Sequence, residues 1–267
     1  MNEAWIIDAC RTPRGIGKPG KGALSDIHPQ HLGATVLKAL TERNDFDTAE
    51  VGDIVWGTSS QRGVQGGDLG RMAALDAGYD VKSSAMTLDR FCGTGITTVN
   101  IAAANIMSGM EDMCVAGGTE MMSLYGSEGF KGSPFLDNGN TRLRAEHPQP
   151  HQGVCADAIA TLEGIDREAV DDLAYVSQQR AKNAIENGHF DKALVPVHRE
   201  DGSLALDRKS FRARKPHATI CAPSIPLSPN SQIFRWMKKA QPSASWSIKR
   251  IRIWRSITST TRAIHRV

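Results

Sequence analysis

The stretch that decides the reading is Ser84-Ala85-Met86-Thr87-Leu88-Asp89-Arg90-Phe91-Cys92-Gly93-Thr94-Gly95, followed by the apolar run Ile96 to Met107. Residues 84–88 read as a strand, and the run after Gly95 reads as an apolar helix. Cys92 therefore stands where a strand ends and a helix begins, with Gly93 and Gly95 allowing close backbone approach. Helix N-termini present free N–H groups that favour a thiolate, the reacting form of cysteine. This placement suits a nucleophile for acyl transfer. A small core residue is the plainer alternative, because most buried free cysteines only pack.

Outward from this turn, strands and helices alternate. Residues 5–10 read as a buried strand stopped by Thr12-Pro13, and His31 to Glu42 has helical apolar spacing. Val51 to Gly57 reads as a strand, Gly63 to Gly70 as a glycine-rich loop, Arg71 to Ala77 as a short helix, and Asp112 to Gly117 as a fourth strand. Such alternation predicts a layered α/β fold with a mostly parallel sheet. From Thr119 the pattern changes to a loop-rich region, Tyr125 to Gln152. Helices are expected over 151–162 and 166–187, the second N-capped by Asp166 and stopped at Asn187-Gly188, with a short strand at 193–197. The expected organisation is an α/β domain over 1–118, an inserted helical loop domain over 119–207, and an anomalous tail over 208–267.

The tail differs sharply in composition. Residues 1–207 hold 18 Lys and Arg against 29 Asp and Glu, whereas residues 208–267 hold 14 Lys and Arg, no acid and no glycine. Three of the five tryptophans, Trp236, Trp246 and Trp254, lie there. A basic arm bearing aromatics could bind nucleic acid, which makes a non-catalytic nucleic-acid-binding protein an alternative of another class.

Other features exclude more than they assign. No apolar run is long enough to span a bilayer, and Glu3, Asp8 and Arg11 interrupt any signal-like N-terminus, so a cytoplasmic protein is expected. The five cysteines (10, 92, 114, 155, 221) are odd in number and form no Cys-x-x-Cys, which reads as free thiols without a zinc site. Core packing is favoured for Cys10 and Cys114, while Cys155 stays open. Gly15 to Gly22 fits G-x-x-x-x-G-K but lacks the following hydroxyl residue and helix of a phosphate loop. His147 and His151 are four apart, yet Pro148 and Pro150 forbid the helical turn that a metal pair needs; one of them could line a substrate cleft.

The segment Asp89 to Gly95 with its apolar helix resembles the nucleophile segment of thiolases, acyltransferases that make or cleave 3-ketoacyl-CoA. Arg11-Thr12-Pro13, Gly117-Gly118-Thr119-Glu120-Met121-Met122-Ser123, Ile165-Asp166-Arg167-Glu168 and Ser177-Gln178-Gln179-Arg180 resemble that family in order and spacing, and Gly57 to Gly78 resembles its dimer-contact region. The likeness covers roughly residues 3–207. It implies Cys92 as acyl acceptor, coenzyme A thioesters as substrates with no separate cofactor, and a homo-oligomer.

The resemblance also implies a Gly-His-Pro histidine, a Cys-x-Gly cysteine and an Asn-Glu-Ala-Phe segment, none of which this sequence contains. His217 and His265 stand in other contexts, and Cys221 is not followed by x-Gly. Weak or absent turnover is therefore expected. Asp89 stands where many thiolases have Asn, and a carboxylate facing a thiol disfavours its ionised form. A ketoacyl synthase-like condensing enzyme, which shares the cysteine-at-helix arrangement, is the alternative within enzymes.

The genetic code offers a reading of the tail. Moving each triplet to its third base permits Asp-Glu-Lys-Gly-Thr-Thr-Phe at Trp236 to Ser243, an Ala-Gly-Asn-Ser-Ser-Gly stretch within Trp254 to Val267, and Phe-Pro-Arg-Pro-Glu-Thr-Thr at Phe211 to His217. The first two resemble thiolase segments, and all three need the same shift. The tail thus reads as out-of-frame translation of a thiolase gene. Inserting one base near codons 208–212 is expected to restore a long open frame.

Overall fold

The computed structural model describes residues 3–125, 136–147 and 149–207. The tail expectations lie outside these residues. The chain separates into two compact units, the first ending at Thr141 and resuming at Tyr175, the second covering Arg142–Ala174 among the described residues.

At the centre of the first unit is a parallel three-stranded sheet ordered β2-β1-β3, with β1 at Asp53–Gly57, β2 at Ser84–Leu88 and β3 at Cys114–Gly118. Gly57 pairs with Leu88 on one side and Gly118 on the other, so all three strands end at the same edge. Helices α1 (Pro29–Asn44), α2 (Leu69–Asp76) and α3 (Thr94–Ser108) complete the layers. The expected α/β class with a parallel sheet is the observed one. The connection β1–α2–β2 steps one way across the sheet, and β2–α3–β3 steps back over β1. Because such crossovers are right-handed, the reversal puts α2 and α3 on opposite faces.

The local sequence explains these helices. His28 Nδ1 accepts the Gln30 N–H at 3.3 Å ahead of Pro29, whose fixed φ suits a first helical position. Asp68 caps α2, its Oδ1 accepting from Arg71 N at 3.4 Å and from Thr87 Oγ1 at 2.6 Å. That carboxylate ties the start of α2 to the end of β2.

The core is arranged around Trp56, which is fully buried with Leu37, Ile54, Leu69, Ala73 and Val115. Three glycines make room for its ring: a Cβ at Gly33, Gly70 or Gly117 would lie 3.3, 2.4 or 2.4 Å from Trp56 atoms. Its Nε1 donates to Thr119 Oγ1 at 3.1 Å, so the indole carries its polar group inside without loss. The neighbouring residue points to the other face, where a Cβ at Gly57 would lie 2.4 Å from Thr94 Cγ2. Close approach of α3 to β1 thus depends on that glycine.

Residues 5–10 correct one expectation. They form no strand among the described residues, and Trp5, Ile6 and Ile7 are about four-fifths exposed, at 78%, 81% and 82%. Asp8 is instead held at the C-terminal end of α1 by Arg43 Nη2 at 2.9 Å and Asn44 Nδ2 at 3.0 Å, and Cys10 Sγ donates to Val36 O at 3.5 Å. A run of apolar residues supplies strand propensity, but a strand exists only where a neighbour accepts its backbone. The segment gains such pairing only at Arg11, which forms an isolated parallel bridge with Leu194. The expected strand at 193–197 is likewise displaced, to a hairpin of β4 (Val197–His198) and β5 (Leu204–Leu206). Val197 and Leu206 bury a smaller core with Leu24, Ile27, Leu32 and Met121.

Helix α4 (Thr141–Glu146) lies within the stretch expected to be loop-rich. In the second unit, α5 (Gln152–Glu163) ends in left-handed Gly164, and α6 (Arg167–Glu186) begins with Asp166 Oδ1 accepting from Ala169 N at 2.8 Å. Gly15 to Gly22 runs as surface loop and turns, and the next helix begins only at Pro29. No described helix is long and apolar enough to cross a membrane.

Candidate active site

Cys92 is exposed and sits in the tight turn between β2 and α3, at the edge where all three parallel strands end. In open parallel sheets this carboxyl edge is where ligands bind, because loops there vary freely above a rigid sheet. The turn is built by its own sequence. Phe91 adopts a left-handed backbone with φ of 47°, a costly conformation for a bulky residue, immediately before Cys92.

Two side chains hold it through three hydrogen bonds. Asp89 Oδ1 accepts the Phe91 N–H at 2.6 Å, Thr94 Oγ1 accepts the Arg90 N–H at 2.8 Å, and Thr94 Oγ1 donates to Phe91 O at 2.6 Å. Backbone bonds from Gly93 N to Arg90 O at 3.1 Å and from Thr94 N to Phe91 O at 3.0 Å close the turn. Asp89 therefore spends a carboxylate oxygen on the turn itself. The anion that the sequence places near Cys92 has a structural task, a role that Asn could fill equally through its side-chain oxygen.

Helix α3 starts without a side-chain cap, Gly93 standing in the capping position. Uncapped first-turn amides are the groups that would stabilise negative charge on an attacking sulfur or on a carbonyl oxygen. Thr97 and Thr98 are buried and turn their hydroxyls back onto the carbonyls of Gly93 and Gly95, at 3.2 and 2.8 Å, which keeps the first turn of α3 rigid.

The same sheet edge holds a polar cluster that reading the sequence did not single out as a unit. Glu120, just after β3, receives Ser59 N at 2.6 Å, Ser59 Oγ at 2.5 Å and Thr58 Oγ1 at 3.3 Å on one oxygen. Its other oxygen receives Gln65 Nε2 at 3.1 Å and Tyr125 Oη at 2.9 Å. Gln65 is fully buried and accepts the Met121 N–H at 2.6 Å. Although burial works against the Glu120 carboxylate, the bonds from Ser59, Gln65 and Tyr125 outweigh it and hold its pKa below the usual value. The signal available in sequence was a Thr-Glu pair following a glycine-terminated strand, with Thr-Ser-Ser following another.

The remaining candidates are placed elsewhere. Cys114 begins β3 at the opposite edge of the sheet, and its thiol is pushed up to about 11 by burial, aided by the carboxylates of Glu111 and Asp53. Burial likewise raises the Cys10 thiol. Cys155 is half-buried in α5, donating to Pro150 O at 3.6 Å. His151 caps α5 by accepting Gly153 N at 3.2 Å, which gives that histidine a structural task in the second unit. Among the described residues no group of three or more His, Cys, Asp or Glu could hold a metal ion.

The fold agrees with what related sequences show. Residues 4–212 match the family described as the thiolase N-terminal domain, and the chain belongs to the thiolase family. It is 34% identical over 215 residues to a steroid 3-ketoacyl-CoA thiolase of Mycobacterium tuberculosis, a match covering 78% of this chain and 52% of that protein. It is 36% identical over 211 residues to a beta-ketoadipyl-CoA thiolase of Acinetobacter baylyi, covering 74% and 52%. An acetyl-CoA acetyltransferase of Cupriavidus necator is 37% identical over 206 residues, covering 74% and 51%. The chain thus spans about half the length of the relatives it matches.

Proposed function

We propose that this chain carries the acyl-accepting site of a thiolase-type acyltransferase, with Cys92 as the nucleophile and coenzyme A thioesters as substrates. In the first step the Cys92 thiolate attacks the thioester carbonyl carbon of an acyl-CoA. A bond forms between Sγ and that carbon, the carbon–sulfur bond to coenzyme A breaks, and coenzyme A leaves as a thiolate that takes up a proton. In the second step either the α-carbon of another acyl-CoA, having lost a proton, or the coenzyme A thiolate attacks the Cys92 thioester carbon. A carbon–carbon or carbon–sulfur bond forms, the bond to Sγ breaks, Cys92 leaves as a thiolate, and the product is a 3-ketoacyl-CoA or the original acyl-CoA. No electrons are gained or lost, so no separate redox cofactor is called for.

The observation that carries this reading is the exposed Cys92 on a left-handed turn at the carboxyl edge of the sheet, directly ahead of uncapped α3. The histidine and second cysteine implied by the family resemblance are absent from the sequence. General acid–base steps each contribute roughly 10²–10⁴-fold, so these 267 residues by themselves are expected to accept an acyl group far better than they complete a cycle. A cytoplasmic location and assembly into a homo-oligomer through the Gly57–Gly78 segment belong to the same reading.

The test is to incubate the 267-residue chain with acetyl-CoA and map acetylation by peptide mass spectrometry. Acetylation at Cys92 that is abolished in Cys92→Ala supports the proposal. Acetyl groups spread over several cysteines and lysines, with Cys92 not preferred, would overturn it.

A further inference from the structure

The Cys92 turn and the Glu120 cluster lie at one sheet edge and share a physical connection through a single side chain. Thr94 is buried, and its hydroxyl joins Arg90 N and Phe91 O across the turn. Its methyl group faces Gly57, where a Cβ would lie 2.4 Å away. Gly57 is in turn fixed from both sides: its carbonyl accepts Thr119 N at 2.9 Å, and the next residue, Thr58, donates its N–H to Leu88 O at 3.2 Å. Glu120 then holds Thr58 and Ser59, and Gln65 binds Thr58 Oγ1 at 3.2 Å and Ser60 O at 3.1 Å. The path from Glu120 to the Cys92 turn is continuous and short.

We propose that Thr94 is the positioning residue for Cys92, and that Glu120 acts through it by fixing the Gly57–Ser59 segment on which the Thr94 methyl rests. The inference rests on Cys92 being the acyl acceptor. Nature of the side chain matters at both ends of Thr94. Valine keeps the shape and loses both hydroxyl bonds, whereas serine keeps the bonds and loses only the methyl contact. At Glu120, glutamine preserves the outline but replaces an acceptor oxygen with an NH₂, which cannot receive the two Ser59 donors or the Gln65 and Tyr125 donors at the same time.

The experiment compares the full chain with Thr94→Val, Thr94→Ser and Glu120→Gln. For each, the rates of Cys92 acetylation by acetyl-CoA and of Cys92 alkylation by iodoacetamide are measured by peptide mapping. Cys114 alkylation serves as the internal reporter of an intact fold. Thr94→Val is expected to slow acetylation on the order of 10- to 100-fold, the scale of a misplaced reacting group. Thr94→Ser, which keeps both hydroxyl bonds and loses only the methyl contact, is expected to be slowed only several-fold, and Glu120→Gln to be slowed as well, by no more than that, with Cys114 still protected in both.

A Thr94→Val chain that is acetylated at the parent rate, or a Thr94→Ser chain as slow as Thr94→Val, overturns the proposal. If Thr94→Val exposes Cys114, Glu120→Gln decides: unchanged acetylation with Cys114 protected overturns it, and slowed acetylation supports it. Failure of the nucleophile reading looks different. The parent chain would then take no acetyl group at Cys92, and positioning by Thr94 would be judged from the iodoacetamide rates alone.

Discussion

Cys92 and Cys114 stand at the two opposite edges of one three-stranded sheet, the first in the turn that follows β2 and the second at the start of β3. At the carboxyl edge, Cys92 follows β2, sits on a left-handed turn and precedes the amide end of α3. At the amino edge, Cys114 opens β3, half-buried, beside Glu111 and Asp53, which with burial push its thiol up to about 11. The chemistry of a cysteine here is set by which end of a parallel strand it occupies. One edge gathers helix N-termini and glycine turns, while the other gathers helix C-termini and, in this chain, carboxylates.

The largest expected effect breaks this contrast outright. Cys92→Ala should abolish acyl transfer from acetyl-CoA, whereas Cys114→Ala should leave it within about threefold of the parent, because only Cys92 stands among groups that stabilise transferred charge. Acylation that survives the first change and falls with the second would reverse the assignment.

Alkylation sharpens the comparison without substrate. A thiol at about 11 is only ~0.1% ionised at pH 8, so Cys114 should react with iodoacetamide on the order of a hundredfold or more slowly than the exposed Cys92. Peptide mapping over time measures both rates in one sample. Mild urea that opens the fold should bring the two rates together.

A third test removes the platform the two edges share. Gly117→Ala puts a Cβ at 2.4 Å from the Trp56 ring, inside the central strand pair. Overpacking of this kind costs about 1–3 kcal/mol, read as an earlier urea midpoint, and it should narrow the reactivity gap between the cysteines at a given urea concentration. An unchanged midpoint would mean that Trp56 has room the geometry does not show.

The smallest effect is acid sensitivity at the carboxyl edge. The folded-state pKa of Glu120 lies below its ordinary value of 4.5, so its contribution to stability is fully present above about pH 4.5 and is lost as the pH falls through the lowered folded value. Glu120→Gln should flatten that part of the stability-against-pH curve, measured by thermal melting between pH 6 and pH 3. A curve that keeps its full slope would assign the acid loss to other carboxylates.

Much of this arrangement is legible in the chain itself. Ser84 to Leu88 reads as a strand, Gly93 and Gly95 follow Cys92, and the apolar run after them reads as a helix, so the nucleophile turn follows from local geometry. The strands ending at Gly57 and near Gly117 are equally local, as are Asp166 and Asn187-Gly188 at the two ends of one helix. Strand pairing is not local, and this is why residues 5–10 mislead: Trp5-Ile6-Ile7 has every propensity of a buried strand, yet the backbone of Asp8 to Cys10 is drawn along α1 and leaves those side chains exposed.

Nor does sequence bring Glu120 to Ser59 and Gln65, which lie 61 and 55 positions away. Only the register of β1 against β3, Gly57 beside Gly118, sets their loops side by side. The residue order determines which segments can turn, cap and bury. Tertiary structure decided which distant polar groups share one sheet edge, because register is fixed by packing around Trp56 and its three glycines, and no single segment contains that information.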